Sequence, residues 1–152
     1  MALVHEQLYQ SQDLARIELS SYIHDLTSHL ANTYQSAGIS LTIEADNISL
    51  AIDTAIPLGL IINELVSNAY KHAFPNGQGG TIAVILRSGN DGHYVLTVQD
   101  DGVGIPETMD FRTTDSLGLQ LVDGLTRQLK GTIQSQQDKG TAFVIEFASE
   151  DG

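Results

Sequence analysis

Three residues with chemically useful side chains occur at helical spacing in the stretch LGLIINELVSNAYKHAF, residues 58–74. Glu64, Asn68 and Lys71 are separated by four and three residues, which places them within about 60° of one another around an α-helix. A carboxylate can orient or deprotonate a nucleophile, an amide oxygen is a hard ligand suited to Mg²⁺, and an ammonium group pairs with phosphate. The same pattern also occurs on solvated surface helices, so this helix alone leaves both interpretations open.

The opposite side of this helix is apolar and is expected to pack against a core. Its apolar residues recur at helical spacing and are Leu58, Ile62, Leu65, Val66, Ala69 and Ala73. Asn is a poor residue for the middle of a helix, because its amide competes for backbone hydrogen bonds. The presence of Asn68 in spite of this cost favours a functional interpretation of the polar side.

A second carboxylate is predicted at the end of a strand. In the segment YVLTVQD, alternation places Asp100 on the same face as the core residues Tyr94, Leu96 and Val98. A carboxylate buried without hydrogen bonds costs on the order of several kcal/mol. Asp100 could cap the following glycine turn, or it could accept a hydrogen bond from a ligand such as the amino group of a base.

Glycines near Asp100 and at the start of a later helix allow the backbone to approach a ligand closely. Gly102 and Gly104 in DDGVGIP relax the limits on φ beside Asp100. Gly118 lies in the first turn of a helix that begins at Leu117, where glycine costs roughly 1 kcal/mol relative to alanine, and the N-terminus of such a helix suits phosphate. Neither the dinucleotide fingerprint G-x-G-x-x-G nor the phosphate loop G-x-x-x-x-G-K-[ST] occurs in the sequence.

Composition restricts the class of partner and the compartment. The chain has 152 residues and a formal net charge of −12, which argues against nucleic acid or an anionic membrane as a partner. The same charge repels free polyphosphate, so a nucleotide bound here is expected to arrive with Mg²⁺. With no cysteine, no apolar run of about 18 residues and no amino-terminal signal, the sequence predicts a cytoplasmic domain without disulfides.

The remaining patterns predict helices layered on a mostly antiparallel sheet, an α/β two-layer sandwich. The first half of the chain is predicted to form a helix over residues 1–10, an extended piece at 17–19, a helix capped by Ser20 or Ser21, and a hairpin of strands 39–43 and 48–52. The central helix follows, capped by Thr54 and with Pro57 in its first turn. The second half is predicted to form strands 81–87 and 94–100, a helix over 117–129, and a hairpin of strands 132–136 and 141–147. Thr141 shares its strand face with three apolar residues and is expected at the edge of the core.

Four segments within residues 53–147 resemble, in the same order, the motif boxes of a known superfamily. NELVSNAYKHAF, DDGVGIP, SLGLQLV and KGTAF are similar to the N, G1, G2 and terminal boxes of the gyrase, chaperone, histidine kinase and mismatch-repair ATPases. The ELVSNA and SLGLQLV forms are most similar to the catalytic domain of bacterial sensor histidine kinases, in the subgroup whose phosphoacceptor helix reads H-R-x-K-N-N. That acceptor motif is absent from this sequence.

The resemblance implies a Bergerat-type fold that binds Mg-ATP between helices and sheet under a mobile lid. Asn68 would bind Mg²⁺ through its amide oxygen, and Glu64 would orient a magnesium-bound water molecule or act as the catalytic base. Lys71 and His72 would reach the phosphates, and Asp100 would accept the adenine amino group. The other implied contacts are Gly102 and Gly104 against the base, Leu117, Gly118 and Leu119 at the phosphates, Phe111 and Arg112 in the lid, and Thr141 supporting Asp100 through water.

The resemblance also implies that the acceptor histidine lies on a separate dimerisation domain and that a response regulator follows. Residues 1–12 would be the stub of a dimerisation helix and residues 13–152 the ATP-binding domain. His5 and His24 are each expected to be ordinary helix-surface residues rather than acceptors. The alternatives are a serine kinase of the anti-sigma type or an ATPase of the same superfamily, and, in a different class, a non-catalytic nucleotide sensor.

Overall fold

Helices and strands alternate along the chain in the computed structural model, which describes residues 16–34, 38–74, 79–89, 92–103, 117–137 and 140–148. The elements are β1 (Arg16–Glu18), α1 (Leu19–Tyr34), β2 (Ile39–Ala45), β3 (Ser49–Ala51), α2 (Ile52–His72), β4 (Gly80–Ser88), β5 (His93–Asp100), α3 (Leu117–Gln128), β6 (Thr132–Gln137) and β7 (Thr141–Ala148). The helix predicted over residues 1–10 lies outside the described residues. In the part of the chain that is described, no helix is both long and apolar enough to cross a membrane.

A five-stranded mixed sheet forms one layer of the molecule. Its strand order is β2-β4-β5-β7-β6, and all neighbouring strands are antiparallel except β2 and β4, which run parallel. The predicted pair of strands β4 and β5 and the predicted closing hairpin of β6 and β7 are both present. The α/β class and the mostly antiparallel sheet are therefore confirmed.

The predicted hairpin between residues 39–43 and 48–52 is wrong. β2 pairs with β4, whereas β3 pairs with β1 in a separate two-stranded sheet, where Leu50 lies opposite Ile17. The segment between β2 and β4 is the long crossover that a parallel pair of strands requires. Alternation identifies a strand and its buried face, but it does not determine which strand becomes its neighbour.

Three helices cover one face of the sheet, with α2 between α1 and α3. The predicted apolar side of α2 is buried, and its residues are Leu58, Ile62, Leu65, Val66, Ala69 and Ala73. The sheet contributes alternate residues from its central strands, among them Val84, Leu86, Leu96, Val98 and Ile145. Each large apolar side chain buried in this way stabilises the fold by about 1.5–3 kcal/mol.

The start of α1 differs from the predicted one. The helix begins at Leu19, and the carboxylate of Glu18 accepts a hydrogen bond from the N–H of Ser21 at 2.8 Å. Glu18 therefore caps the helix, and the predicted caps Ser20 and Ser21 lie inside its first turn. Hydrogen bonding to this backbone N–H lowers the pKa of the Glu18 carboxyl group.

The start of α2 is also earlier than predicted. The helix begins at Ile52, and Ala51 before it, with φ −58° and ψ 151°, provides no side-chain cap. Thr54 therefore lies within the first turn instead of capping it, and Pro57 lies beyond the first turn, inside the helix. Asp53 places a negative charge in the first turn, which complements the helix dipole where a capping side chain is missing.

The packing of α1 on α2 depends on Gly59. A Cβ atom added to Gly59 would lie 2.7 Å from Cζ and 2.8 Å from Cε2 of Tyr22, a ring that packs on the core. Further along the two helices, the rings of Tyr34 and Tyr70 stack with their centroids 4.9 Å apart. The two contacts hold α1 against α2 along most of its length.

We expect Gly59→Ala to lower the free energy of unfolding by about 1–2 kcal/mol, because the added methyl group forces Tyr22 and α1 away from α2. This loss exceeds the helix propensity that alanine gains over glycine. Gly124→Ala in α3 is the matched control, since a Cβ atom there meets no other atom within 4 Å, and it should stabilise the protein by about 1 kcal/mol. Urea unfolding monitored by circular dichroism measures the free energy of unfolding of both variants. An equal change in Gly59→Ala and Gly124→Ala would contradict the assigned packing of Gly59 on Tyr22.

Candidate functional site

The polar side of α2 is partly covered by the start of α3. Glu64 and Asn68 are half-buried, whereas Lys71 is exposed. A Cβ atom added to Gly118 would lie 2.6 Å from Oε2 of Glu64 and 3.7 Å from Nδ2 of Asn68. The structure therefore brings the predicted carboxylate and amide against the first turn of α3.

This contact explains why a glycine occupies the first turn of α3. Any side chain at Gly118 would displace the Glu64 carboxylate or move α3 away from α2. Leu117 and Gly118 hold the first two helical positions, whose N–H groups have no acceptor within the helix and carry the positive end of its dipole. Leu119 is buried in the core, so its side chain packs within the protein, and contact of these three residues with phosphates stays a prediction.

Lys71 and His72 lie exposed in the last turn of α2. Positive side chains at this end of a helix interact favourably with its dipole, which is a structural reason for both residues. The end of α2 also lies beside the turn that follows Asp100, so both side chains are at the same end of the sheet as that carboxylate. Contact with phosphates stays a prediction for both residues.

Asp100 ends β5 on the face that the helices cover. The residues that precede it on this face are buried, as predicted, and are Tyr94, Leu96 and Val98. Asp100 is itself half-buried. Its Oδ1 accepts a hydrogen bond from the N–H of Gly102 at 2.9 Å, and the backbone N–H of Thr141 donates to the same carboxyl group.

Burial raises the pKa of the Asp100 carboxyl group, because it disfavours the charged form. The two backbone hydrogen bonds act in the opposite direction, and the charge of Asp101 raises the pKa further. Asp100 thus caps the glycine turn, which was one of its two sequence interpretations. A carboxylate has about four acceptor positions, so two N–H donors still leave it able to accept a hydrogen bond from a ligand.

The turn after β5 is held against the end of α2. The N–H of Val103 donates to the carbonyl oxygen of Ala73 at 2.9 Å, and a Cβ atom on Gly102 would collide with that same oxygen. Glycine is therefore required here by packing within the protein, and contact of Gly102 with a base stays a prediction. The predicted residues that lie outside the described part of the chain are Gly104, Phe111 and Arg112.

Thr141 lies directly opposite Asp100 in the register of β5 and β7 and is buried. Gly140 before it has φ +127°, and a Cβ atom there would collide with the carbonyl oxygen of Asp100. Glycine at this position is what lets β7 begin so close to the end of β5. A water-mediated contact between the Thr141 hydroxyl and Asp100 stays a prediction.

Asp101 is a polar residue of this region that sequence analysis did not single out. Its Oδ1 accepts a hydrogen bond from the N–H of Thr81 at 2.7 Å, and its own N–H donates to the Thr81 carbonyl at 3.2 Å. The run Asp-Asp-Gly predicts a turn, which is present. It contains no signal that the second Asp bonds to Thr81, 20 residues earlier in the chain.

An open cavity of about 350 Å³ lies behind the Asp100–Thr141 pair. Besides those two residues and Asp101, its lining includes Thr81, Gln99 and Gln136. Gln99 and Gln136 are exposed, and each lies opposite Ala142 in the strand register, on the face of the sheet that the helices leave uncovered. This cavity is therefore distinct from the space between helices and sheet in which a nucleotide is expected.

Within the described ranges, no group of three or more His, Cys, Asp or Glu side chains is arranged to hold a metal ion. Magnesium commonly takes only one or two protein ligands and completes its shell with phosphates and water. A single amide oxygen on Asn68, beside the glycine-lined start of α3, fits that requirement. Of the two histidines considered as acceptors, His24 is exposed on α1, and His5 lies outside the described residues.

Comparison with known families gives two sequence matches. The profile of the family described as histidine kinase-, DNA gyrase B- and HSP90-like ATPase matches residues 53–151. A second profile, described as histidine kinase, matches residues 1–34. The first match includes all the predicted site residues.

Comparison with individual proteins gives sensor kinases. The chain is 31% identical over 137 residues to blue-light-activated histidine kinase 2 of Erythrobacter litoralis, covering 82% of this chain and 40% of the relative. It is 32% identical over 152 residues to sensor histidine kinase PdtaS of Mycobacterium tuberculosis, covering 95% and 30%. The solved histidine kinase domain of the Erythrobacter litoralis EL346 blue-light activated histidine kinase superposes with a TM-score of 0.84 at 26% identity, covering 97% of this chain and 72% of that one. The chain thus spans less than half the length of these two curated relatives.

We expect Asp100→Asn to raise the free energy of unfolding near neutral pH. Because its pKa is raised, Asp100 binds its proton more tightly in the folded than in the unfolded state, so its contribution to stability is lost as the pH rises through the folded-state pKa. The gain from the substitution should therefore shrink as the medium becomes acidic. Urea unfolding between about pH 4 and about pH 8 measures this dependence.

Asp46→Asn is the control of opposite sign for the same experiment. The Ser88 N–H, and to a smaller extent the guanidinium of Arg87, lower the pKa of the Asp46 carboxyl group. Its ionised form therefore stabilises the fold, and this contribution is lost as the pH falls through the folded-state pKa, so Asp46→Asn should destabilise the protein at neutral pH. If both substitutions changed the free energy of unfolding in the same direction at neutral pH, the assigned environments of Asp100 and Asp46 would be contradicted.

Proposed function

Because the chain belongs to the family of histidine kinase-, DNA gyrase B- and HSP90-like ATPases, we propose that it is the ATP-binding catalytic domain of a two-component sensor histidine kinase. The observation that carries the proposal is the approach of Gly118 to Oε2 of Glu64, where an added Cβ atom would lie at 2.6 Å. This approach places the Glu64 carboxylate, the Asn68 amide and the N-terminus of α3 next to one another. The similarity to sensor histidine kinases supports histidine as the acceptor.

In this proposal, Asp100 binds the adenine end of the nucleotide. Its carboxylate accepts a hydrogen bond from the exocyclic amino group, using acceptor capacity that Gly102 and Thr141 leave open. Gly102 and Gly104 line the base, and Thr141 supports the carboxylate through water. A charged acceptor in a half-buried position makes a stronger hydrogen bond than a neutral one, which favours adenine over bases that present a carbonyl there.

At the other end of the nucleotide, the start of α3 and the end of α2 bind the phosphates. Leu117, Gly118 and Leu119 offer backbone groups at the positive end of a helix dipole, and Lys71 and His72 add positive side chains. Asn68 would hold Mg²⁺ through its amide oxygen. Bound magnesium supplies neutralisation of the phosphate charge, which a chain of net charge −12 needs.

Glu64 is the proposed catalytic residue. In the transfer, an imidazole nitrogen of the acceptor histidine attacks the γ-phosphorus, the bond to the ADP oxygen breaks, and the Glu64 carboxylate orients the imidazole and accepts its proton. The protein contributes mainly position and charge neutralisation to such a reaction. The carboxylate is half-buried beside the start of α3, so it remains accessible to an incoming side chain.

The acceptor histidine is proposed to lie on separate dimerisation helices, with a response regulator as the next acceptor, in the cytoplasm. Residues 1–12 would be the stub of such a helix and residues 13–152 the catalytic domain. The histidine kinase profile that matches residues 1–34 supports a dimerisation-type sequence at this end. The spans of 40% and 30% on the two relatives support a larger protein to which this domain belongs.

An exposed apolar surface beside Glu64 fits these helices. Ile56 and Leu60 precede Glu64 by eight and four residues on the same side of α2, and Leu121 follows Gly118 by one turn of α3. These three side chains, here called the α2–α3 apolar patch, are 44%, 46% and 43% exposed. An acceptor helix must come within reach of Glu64, and an amphipathic helix would bury this patch as it does so.

The alternatives differ in the bond that forms. A serine kinase of the anti-sigma type yields an acid-stable phosphoester, a histidine kinase yields an acid-labile phosphoramidate, an ATPase releases phosphate, and a nucleotide sensor does none of these. Incubation with labelled ATP and an acceptor protein, followed by acid treatment, separates the four. Half-buried Glu64 and Asn68 beside the start of α3 support a transfer reaction over simple sensing.

We expect the purified chain to bind ATP more tightly with Mg²⁺ than without it in calorimetric titration. Asp100→Asn should weaken binding roughly 10- to 100-fold, because a hydrogen bond to a charged acceptor is replaced by an unfavourable contact. Asn68→Ala should bind ATP with no dependence on Mg²⁺. Binding by Asp100→Asn at the original affinity would contradict the adenine role, and a retained magnesium dependence in Asn68→Ala would contradict the metal role.

We expect two different losses when the chain transfers phosphate to a separately supplied dimerisation domain. Glu64→Gln should lower the maximal rate roughly 100-fold or more at saturating acceptor, since it removes the proton acceptor. Leu60→Asp should instead raise the acceptor concentration needed for half-maximal rate, with ATP affinity unchanged, because it adds a charge to the α2–α3 apolar patch. Gln128→Asp, on an exposed part of α3, adds the same single charge and is the control for charge alone, and an equal effect there would argue against the patch.

A further inference from the structure

Asp101 ties the turn after β5 to the start of β4. Its Oδ1 accepts the Thr81 N–H at 2.7 Å, and its own N–H donates to the Thr81 carbonyl at 3.2 Å. Gly80 makes room for this contact, since a Cβ atom there would collide with the Asp101 carboxylate and with the ring of Phe74. The carboxylate thus bonds to the end of the interior strand β4, although it is solvent-exposed.

The same turn is held on both sides of Asp101. One residue before it, Asp100 accepts the Gly102 N–H at 2.9 Å, and two residues after it, Val103 donates to the Ala73 carbonyl at 2.9 Å. The bond of Asp101 to Thr81 therefore fixes the turn against β4, while the bond of Val103 to Ala73 fixes it against the end of α2. A shift of the turn at Asp101 would move the Gly102 N–H that orients the Asp100 carboxylate.

We propose that Asp101 is a positioning residue, which orients Asp100 for the nucleobase through its hydrogen bond to the Thr81 N–H. The inference rests on the proposed function, in which Asp100 accepts the adenine amino group. Asp101 itself does not touch the base, because its side chain contacts β4 and lines the cavity on the uncovered face of the sheet. Thr81 is the second residue of β4, so its hydrogen bond to Asp101 joins the turn to the end of the sheet at which β4 begins.

The charge of Asp101 adds a second effect that is separable from the hydrogen bond. It raises the pKa of the Asp100 carboxyl group, in addition to the larger effect of burial. The other elements packed around Asp100 contribute the neutral Thr141 from β7 and, from the last turn of α2, the exposed Lys71 and His72. Removing the Asp101 charge should therefore let Asp100 ionise at lower pH.

The test is calorimetric titration of the whole chain with ADP, the probe that keeps the adenine and omits the transferred phosphate. Asp101→Ala removes the acceptor and should weaken ADP binding roughly 3- to 10-fold, the usual worth of one hydrogen bond. Asp101→Asn keeps an oxygen acceptor and should restore most of this affinity. In Asp101→Asn, the loss of ADP affinity on acidification should also move to lower pH, because the Asp101 charge is removed while the oxygen acceptor is kept.

Asp46→Ala is the matched control. Its carboxylate accepts the Ser88 N–H at 2.9 Å at the opposite end of β4, so the two aspartates make the same kind of contact with the same strand. Asp46→Ala should lower the stability of the protein and leave ADP affinity unchanged. An equal loss of ADP affinity in Asp46→Ala and Asp101→Ala would overturn the proposal, because the effect would then be one of general stability.

The outcomes separate this inference from the function on which it rests. ADP binding by Asp101→Ala at the original affinity, with binding lost in Asp100→Asn, would overturn the positioning role and leave the nucleotide site intact. No ADP binding by the unaltered chain would overturn the proposed function itself. If Asp101→Ala does not fold, Asp101→Ser decides, since its shorter side chain does not reach the Thr81 N–H as the carboxylate does, and ADP binding by this variant at the original affinity counts against the inference.

Discussion

A carboxylate held half-buried at the end of β5 is the constraint on which the site depends. Desolvation of Asp100 is unfavourable, and the backbone N–H groups of Gly102 and Thr141 offset part of that cost. These donors come from a turn and from a neighbouring strand, so both must be placed accurately. The protein therefore maintains an acceptor that its own fold satisfies incompletely, which is the state required of a group that is to bind a ligand.

Close approaches between backbones and side chains explain the glycines of this region. Gly102 lies on the Ala73 carbonyl, Gly140 on the Asp100 carbonyl and Gly118 on the Glu64 carboxylate. The contacts of Gly102 and Gly140 are with backbone oxygens and exclude a Cβ atom, whereas a Cβ atom at Gly118 would require the Glu64 side chain to move. Each contact draws a different pair of elements together. Gly124, in the same helix as Gly118, meets no such neighbour. The glycines of the site are thus explained by the protein's own packing.

Local sequence patterns predicted the helices and strands well, but they predicted poorly which strands pair and which residues cap the helices. The buried faces of α2, β5 and β7 followed from periodicity, because burial of one face is a local property of the sequence. The hairpin at residues 39–52 was wrong, because strand pairing is decided by which surfaces meet in the complete core. The capping residues Ser20, Ser21 and Thr54 were wrong for a related reason: α1 uses Glu18, and α2 begins earlier on a strand end with no cap.

The amino-acid sequence by itself determined the class of the fold and the choice of the candidate site residues. Glu64, Asn68 and Asp100 could be chosen because a costly or buried polar residue is recognisable from its immediate neighbours. Only the tertiary structure decided that the Glu64–Asn68 pair meets Gly118, and that Asp101 reaches back to Thr81. Contacts between residues far apart in the chain depend on how whole elements dock, and that docking is a collective result of core packing that no single segment encodes.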